Sequence, residues 1–544
     1  MSDAWHGYPL PPMRHEALYG DRVVRCFAER PAGLWAMFEA ALRARPAHEA
    51  MVCDDRRWSY RAVADEAGRV AAGFAARGIG KGDRVLMLLG NRPEFVFVLL
   101  ALQRLGAIAV PVGIREQAPG LAYIAAQCSA CAIVFDDELG GRVPELPLRL
   151  AASALAALGA AASVAAPAAP APPALSPSPA APPAAASTES ETETETETAV
   201  ILYTSGTTGR PKGAMLTHLA IAHSALHYQA CMRLGPDDRS ALAVPASHVT
   251  GLIAVLATMW QVGGTIVVVP AFKAADFVAL LARERVTHTL MVPAMYSLCL
   301  LEPGFASADL SAWRTGGYGG APMPVTTIDA LAAVVPALVL LNCYGATETT
   351  SPATIMPAGR TRAHADSVGV AVPCAEIRVM DEAGREVAPG ETGELWIGGP
   401  MVVPGYWANP EATAASFTAG FWHSGDLGSV DAEGYVRIFD RKKDMLNRGG
   451  YKIYSVEVEN VLMGWPGMIE AAVVGVPCPV LGERVHAFVH APGAAADDAA
   501  LRAFCAKQLA DYKVPETFTW SAEPLPRNAN GKLMKRVLRK RVGG

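Results

Sequence analysis

One stretch constrains this chain more than any other: Tyr203-Thr204-Ser205-Gly206-Thr207-Thr208-Gly209-Arg210-Pro211-Lys212-Gly213, directly after the apolar run Ala199-Val200-Ile201-Leu202. Its eleven residues carry four aliphatic hydroxyls, three glycines and a lysine. A strand, then a loop of small residues, then a helix suits a phosphate grip. Backbone N–H groups and hydroxyls can close around phosphate oxygens, and Lys212 adds charge. The G-x-x-x-x-G-K-[ST] spacing of the common phosphate loop is absent, so a different nucleotide fold is predicted.

At 544 residues the chain is too long for one simple core, and two or more domains are expected. A formal net charge of -5 offers no general attraction to nucleic acid. The ten cysteines form no paired framework, and no basic-then-apolar segment opens the chain, so a reducing, cytoplasmic setting is expected. Cys128-Ser129-Ala130-Cys131 lacks the second Cys pair or His that a zinc site needs and reads as ordinary thiols. No apolar run is long enough to span a bilayer.

Apolar spacing predicts helices over 58–79, 93–104 and 121–127, and strands over 84–89, 107–112 and 132–135. Strands alternating with helices argue for an α/β domain with a largely parallel sheet. Residues 151–186 are dominated by alanine, proline and serine, and 187–198 form an alternating Thr-Glu repeat, so 151–198 reads as a solvated linker or insertion. A helix is expected over 216–228, then buried strands over 263–270, 287–293 and 337–341.

Further clusters follow. Thr315-Gly316-Gly317-Tyr318-Gly319-Gly320-Ala321-Pro322 packs four glycines into five positions, which leaves space for a flat ring or acyl group against backbone; a tight loop is the competing reading. Tyr344-Gly345-Ala346-Thr347-Glu348 lies just past a strand, where oxygen ligands could hold a hard cation on phosphates. Ser424-Gly425-Asp426 offers a carboxylate able to accept both hydroxyls of a ribose.

The charge run Asp440-Arg441-Lys442-Lys443-Asp444 and the break Gly449-Gly450-Tyr451 suggest a domain junction. Beyond them, a helix over 454–462, strands over 471–476 and 485–490, and a helix over 501–509 make a small α+β unit. Near its end, Asn530-Gly531-Lys532 sets a lysine on a glycine-containing loop, where it can enter a site as a mobile point charge.

These segments, in this order, resemble the signatures of the adenylate-forming (AMP-binding) superfamily: acyl-CoA synthetases, the adenylation domains of peptide synthetases, and firefly luciferase. The likeness runs from about residue 34 to the end, apart from the low-complexity tract. It is most like a standalone acyl-CoA synthetase, a fatty-acid or aryl-acid CoA ligase. The resemblance implies a large N-terminal α/β domain of packed sheets and helices, 1–440, and a small, mobile α+β C-terminal domain, 441–544. It implies ATP, Mg2+ and CoA, with a carboxylic acid adenylated first and transferred to CoA second.

By the same resemblance Thr204, Ser205, Gly206, Thr207, Thr208, Gly209 and Lys212 hold phosphates, and Glu348 with Thr207 holds magnesium. Gly319, Gly320, Ala321, Pro322, Tyr344 and Gly345 face adenine, Thr347 touches phosphate, and Asp426, Arg437 and Arg441 bind around the ribose. His248, Val249, Gly251, Gly316, Gly317 and Cys343 line the acyl pocket, with His248 near the substrate carboxylate. Lys443 is the hinge, Gly449, Gly450 and Tyr451 approach CoA, and Lys532 is the catalytic lysine of the first step. The chain departs from a common form of the family at Tyr451-Lys452 and in having Ser455 where proline is frequent. No acidic residue occurs in 245–251, where amino-acid-activating relatives hold the ammonium, which favours an uncharged tail. Two alternatives stay open: an adenylating enzyme that loads a carrier protein, and a non-catalytic regulatory relative. A homodimer also stays open.

Overall fold

The computed structural model describes residues 3–162, 195–204, 210–527 and 533–542. Two sheets form the large unit. The first has six strands in the order Lys212–Thr217, Thr198–Thr204, Ile108–Pro111, Arg84–Leu88, Ala132–Phe135, Leu148–Ala151. The second has nine, with Val339–Tyr344, Thr315–Tyr318, His288–Met291, Arg239–Leu242 and Thr265–Val268 running parallel through its middle.

The continuous apolar runs in these strands are explained by burial on both faces. Val85 and Met87 point into a core shared with the second sheet, while Leu86 and Leu88 point into an outer core with Leu121 and Ile124. Ile266 and Val268 face the shared core, and Val267 and Val269 face another outer core beside Phe277 and Leu281. Helices Pro93–Leu105 and His218–Met232 lie in the shared layer, and nearly every side chain of both is buried. Burial on nearly every side is what a position between two sheets imposes on a helix, and Pro93–Leu105 meets it with an almost wholly apolar surface.

A third sheet of short antiparallel strands, Glu376–Met380 to Val436–Arg441, adjoins the nine-stranded one. The last unit pairs Leu446–Arg448, Tyr451–Ile453, Gly482–His490, Glu470–Cys478 and Thr517–Trp520, covered by helices Ser455–Met463 and Asp498–Ala506 around their own core. Among the described residues no helix is long and apolar enough to cross a membrane.

Two sequence expectations need correction. The phosphate loop does not lead into a helix: residues 212–217 form a strand antiparallel to Thr198–Thr204, and the helix starts at His218, with the Thr217 hydroxyl accepting the Ala220 N–H. The loop therefore closes a hairpin, with Thr204 opposite Lys212. The stretch 151–198 is not linker throughout. Leu148–Ala151 pairs with Ala132–Phe135, helix Leu155–Ala162 follows, and Leu155 and Leu158 are buried against the helix Tyr60–Ala75. Alanine is the strongest helix former, so an alanine-rich run with leucines three apart can pack as a helix. At the far end, Glu195 pairs with the buried Arg30 at 2.7 Å and Glu197 with Lys81 at 2.7 Å. The remainder of the tract, residues 163–194, lies outside the described residues.

Burial pushes the imidazoles of His218, His223 and His288 down to about 4, from an ordinary value near 6.5. The unfolded chain therefore takes up protons between about pH 6.5 and 4 that the folded chain refuses, and stability is lost as pH falls through that window. Each histidine can contribute at most about 1.4 kcal/mol per pH unit. Thermal melts at pH 7, 6 and 5 should show Tm falling progressively; a Tm constant across that range would contradict neutral burial of these rings.

Candidate active site

Thr204 and Tyr344 end the strands Thr198–Thr204 and Val339–Tyr344, and Glu348 follows the second, at the carboxyl ends of parallel strands, where backbone groups leave the ladder and a crevice can form. Strand Val339–Tyr344 continues into the short turn Thr347–Thr349, which brings Glu348 inward to 8% exposure. Its Oε1 accepts the Tyr406 hydroxyl at 2.9 Å and the Thr204 hydroxyl at 3.4 Å. Lys212 lies with Nζ 5.0 Å from the centroid of the Tyr406 ring. Both stems of the phosphate loop thus meet the turn that carries Glu348. Residues 205–209, which include Ser205, Gly206, Thr207, Thr208 and Gly209, lie outside the described residues.

Tyr406 was not singled out from the sequence. Its segment bonds to the hairpin, with Met215 N–H donating to Gly405 O at 3.1 Å and Trp407 N–H to Gly213 O at 2.7 Å. Burial, and then the adjacent Glu348 carboxylate, push its phenol pKa up, so it remains a donor. Pro404-Gly405 is legible as a turn, but nothing local distinguishes this tyrosine from a packed aromatic residue.

A second group stands four residues back along the chain. Tyr344 donates its hydroxyl to Asp426 Oδ2 at 2.6 Å, and Arg441 Nε lies 3.3 Å from Asp426 Oδ1. Asp426 and Arg441 face each other on antiparallel strands. Burial, and then the Asp426 charge, push the Tyr344 phenol well up. Glu394, also not foreseen, accepts the Gly425 N–H at 3.1 Å and the Lys442 ammonium at 3.1 Å, which fastens the Asp426 turn to the charge run. Arg437 is not brought to this group: its guanidinium is held by Asp366 at 2.6 Å and Asp431 at 2.8 Å.

The 245–251 segment is pinned from beneath by Asn91, whose amide donates to Leu242, Val244 and Val269 carbonyls and accepts the Ala246 N–H. His248 follows, its Nδ1 3.1 Å from the Thr250 hydroxyl, and a π-helical stretch Thr250–Ala257 begins. Val249 is buried in the shared core. The reading that clustered glycines leave open space fails at several of them. A Cβ on Gly319 would sit 2.2 Å from Cys343 O, and outside that cluster one on Gly251 would sit 2.3 Å from Pro245 O. Gly316 abuts Leu340 and the Tyr296 hydroxyl, and Gly317 abuts Leu290 and Met232. These glycines allow backbone and side chains to close up on them. Gly320, at φ +79°, turns the chain in a left-handed conformation, leading to Ala321 and Pro322.

In the small unit, Gly449 and Gly450, at φ +60° and +89°, form the turn between two strands, and Tyr451 stacks on Tyr512 at 4.6 Å. Lys452 pairs with Glu382, between the third-sheet strands Glu376–Met380 and Gly393–Gly398, at 3.3 Å, and the turn itself is exposed. The Lys443 carbonyl accepts a hydrogen bond from Arg539. Lys532 lies outside the described residues; the stems of its loop, Arg527 and Leu533, form an antiparallel bridge. Among the described residues no group of three or more His, Cys, Asp or Glu is placed to hold a metal ion, which leaves Glu348 as a single buried carboxylate beside the phosphate loop.

Residues 38–407 match the AMP-binding enzyme family and residues 457–532 the AMP-binding enzyme C-terminal domain. A feruloyl-CoA synthase of Amycolatopsis sp is 34% identical over 89% of this chain and 94% of its own length. The fatty acid–[acyl-carrier-protein] ligase ScoC of Streptomyces coeruleorubidus is 33% identical over 92% and 94%. The crystal structure of ATP-bound MatB from Rhodopseudomonas palustris superposes with a TM-score of 0.81 at 31% identity, covering 94% of this chain and 99% of that one. The chain belongs to the AMP-binding enzyme family, the adenylate-forming enzymes, and is an AMP-forming acid–thiol ligase.

Proposed function

We propose that this ligase activates a carboxylic acid with an uncharged tail, fatty or aryl, at the expense of magnesium ATP and transfers the acyl group to CoA. The observation that carries the reading is the pair of linked groups at the strand ends: Thr204, Lys212 and Tyr406 around Glu348, and Tyr344 and Arg441 around Asp426. The first suits phosphate charge and the second suits a ribose diol. Similarity to both a feruloyl-CoA synthase and a fatty-acid ligase supports an uncharged tail, as does the lack of an acid in 245–251.

In the first step a carboxylate oxygen attacks the α-phosphorus, the bond to the β-phosphate bridging oxygen breaks, and pyrophosphate leaves with those electrons. Lys212 and the hydroxyls of residues 204–208 would neutralise phosphate charge, and Lys532 would add a mobile cation as negative charge develops. Asp426 would accept the ribose hydroxyls, its orientation held by Tyr344 and Arg441. A lone buried carboxylate flanked by hydroxyls fits magnesium, which keeps waters and takes only one or two protein oxygens beside substrate phosphates; Glu348 and Thr207 would hold it. When bound, that ion draws negative charge off the phosphates. In the second step the CoA thiolate attacks the acyl carbon and AMP leaves, after the part of the small domain beyond Lys443 rotates about that residue and brings Gly449, Gly450 and Tyr451 to the acceptor.

A carrier protein as acceptor is the second reading, and the similarity to ScoC favours it. Lys212, Glu348, Asp426 and Lys532 are all present, which argues against a non-catalytic relative. Ten free thiols support a cytoplasmic enzyme.

Pyrophosphate release across fatty, aryl and amino acids, with and without CoA, should show turnover with one uncharged class and stimulation by CoA with thioester formed. Release that ignores CoA would point to the carrier protein. Lys532→Ala should abolish adenylate formation and spare thioester formation from supplied acyl adenylate; equal loss of both steps would contradict its role. Removing the Tyr406 hydroxyl from Glu348 deletes a hydrogen bond to a charged group, worth about 1.5–3 kcal/mol. Tyr406→Phe should therefore lower kcat/KM for ATP by about 10- to 100-fold, and an unchanged value would exclude a part in orienting Glu348.

A further inference from the structure

The junction between the large and small units holds a buried polar cluster that the chemistry above does not use. Asp440 belongs to the strand Val436–Arg441, Ser455 opens the helix Ser455–Met463, and Lys535 opens the terminal helix Lys535–Val542. Asp440 and Ser455 are almost wholly buried. The Ser455 N–H donates to Asp440 Oδ2, and the Arg441 N–H donates to Oδ1 at 2.7 Å. The Lys535 ammonium donates to Ser455 Oγ at 2.6 Å and pairs with Glu459 Oε1 at 2.6 Å. On the same side, Arg539 of the terminal helix pairs with Asp444 at 3.0 Å and bonds the Lys443 carbonyl.

One serine thus touches both ends of the proposed machinery. Its N–H holds the last large-unit strand before Lys443, and its hydroxyl holds the helix that begins three residues after Lys532. We propose that Ser455 is a positioning residue, the latch that holds the small domain in the pose seen here and ties the hinge to the lysine-bearing loop. The proposal rests on the two-step ligase reading. Asp440 precedes Lys443 and Ser455 follows it, so rotation about Lys443 changes their separation and breaks the bond. The pose it holds has Lys452 against Glu382 and leaves the Gly449–Tyr451 turn exposed.

The chemistry of proline supplies a clean probe. Ser455 is the first residue of its helix, a position that proline favours because its fixed φ suits the helix start. Tyr454 before it is extended, at φ −84° and ψ 116°, as a residue preceding proline must be. Ser455→Pro therefore fits the backbone while deleting both the N–H and the hydroxyl. Ser455→Ala deletes the hydroxyl alone.

The experiment compares the full-length chain with Ser455→Pro, Ser455→Ala and Asp440→Asn in single-turnover assays of each half-reaction. Ser455→Pro should slow adenylate formation about tenfold and speed thioester formation from supplied acyl adenylate, the scale set by one lost hydrogen bond to a buried carboxylate. Asp440→Asn should move both rates in the same directions, and Ser455→Ala should move them less. A fall in both half-reactions, or no change in either, would overturn the latch, because a merely structural lesion lowers both. Hydrogen exchange of the amides of residues 440–446 needs no turnover and keeps the latch testable if the ligase reading fails. Exchange about tenfold faster in Ser455→Pro at unchanged Tm supports it, and unchanged exchange overturns it.

Discussion

Two largely parallel sheets share one layer of apolar helices, and the rest of the molecule follows from that sharing. The central strands are buried on both faces, so neither of their faces can carry a hydrated polar group. Polar chemistry is pushed to the strand ends, where Thr204, Tyr344, Glu348 and His248 all lie. Removing large residues from the shared layer would act on both sheets at once, and a packed interior transmits such shifts because it has little free volume.

At those ends a few hydrogen bonds convert loops from distant parts of the chain into one surface. Tyr406 joins the segment around Gly405 to the phosphate-loop hairpin through the backbone and to Glu348 through its hydroxyl. Tyr344 joins the end of its strand to Asp426 on the third sheet, and Glu394 fastens the neighbouring Gly425 to Lys442. The groups around Glu348 and Asp426 and the charge run 440–444 are therefore connected through three carboxylates, Glu348, Asp426 and Glu394, each buried or half-buried and each with partners. Such pre-organisation matters for a reaction in which side chains position and neutralise and none forms a covalent bond.

Much of the fold was legible because the strands and helices of the large unit announce themselves by apolar runs of the right length: 84–88, 93–105, 132–135 and 265–268 are close to the segments read from periodicity. Composition misled at 151–162, where alanine suggested disorder but two leucines anchor a helix on the core. Short strands such as Lys212–Thr217, with a glycine and a lysine in it, gave no periodic signal, and their pairing is set by the partner strand. At the candidate site, Asp426, Glu348 and Lys212 were picked out by the family signatures they sit in, and the structure places Glu348 and Lys212 beside Tyr406 and Asp426 beside Tyr344.

The sequence by itself determined the family, because a hydroxyl-rich loop, a carboxylate after a strand, an Asp turn and a lysine near the end stand in the order of the adenylate-forming signatures, while their residue types alone say only that phosphate, a hard cation or a diol would suit them. Only the tertiary structure decided that Tyr406 and Glu394 belong to the site, that Arg437 is taken up by two aspartates, that the glycines are filled against, and that Ser455 bridges Asp440 and Lys535. Each of these depends on which groups meet across long separations in the chain, and a side chain's partner is set by packing that no local spacing records.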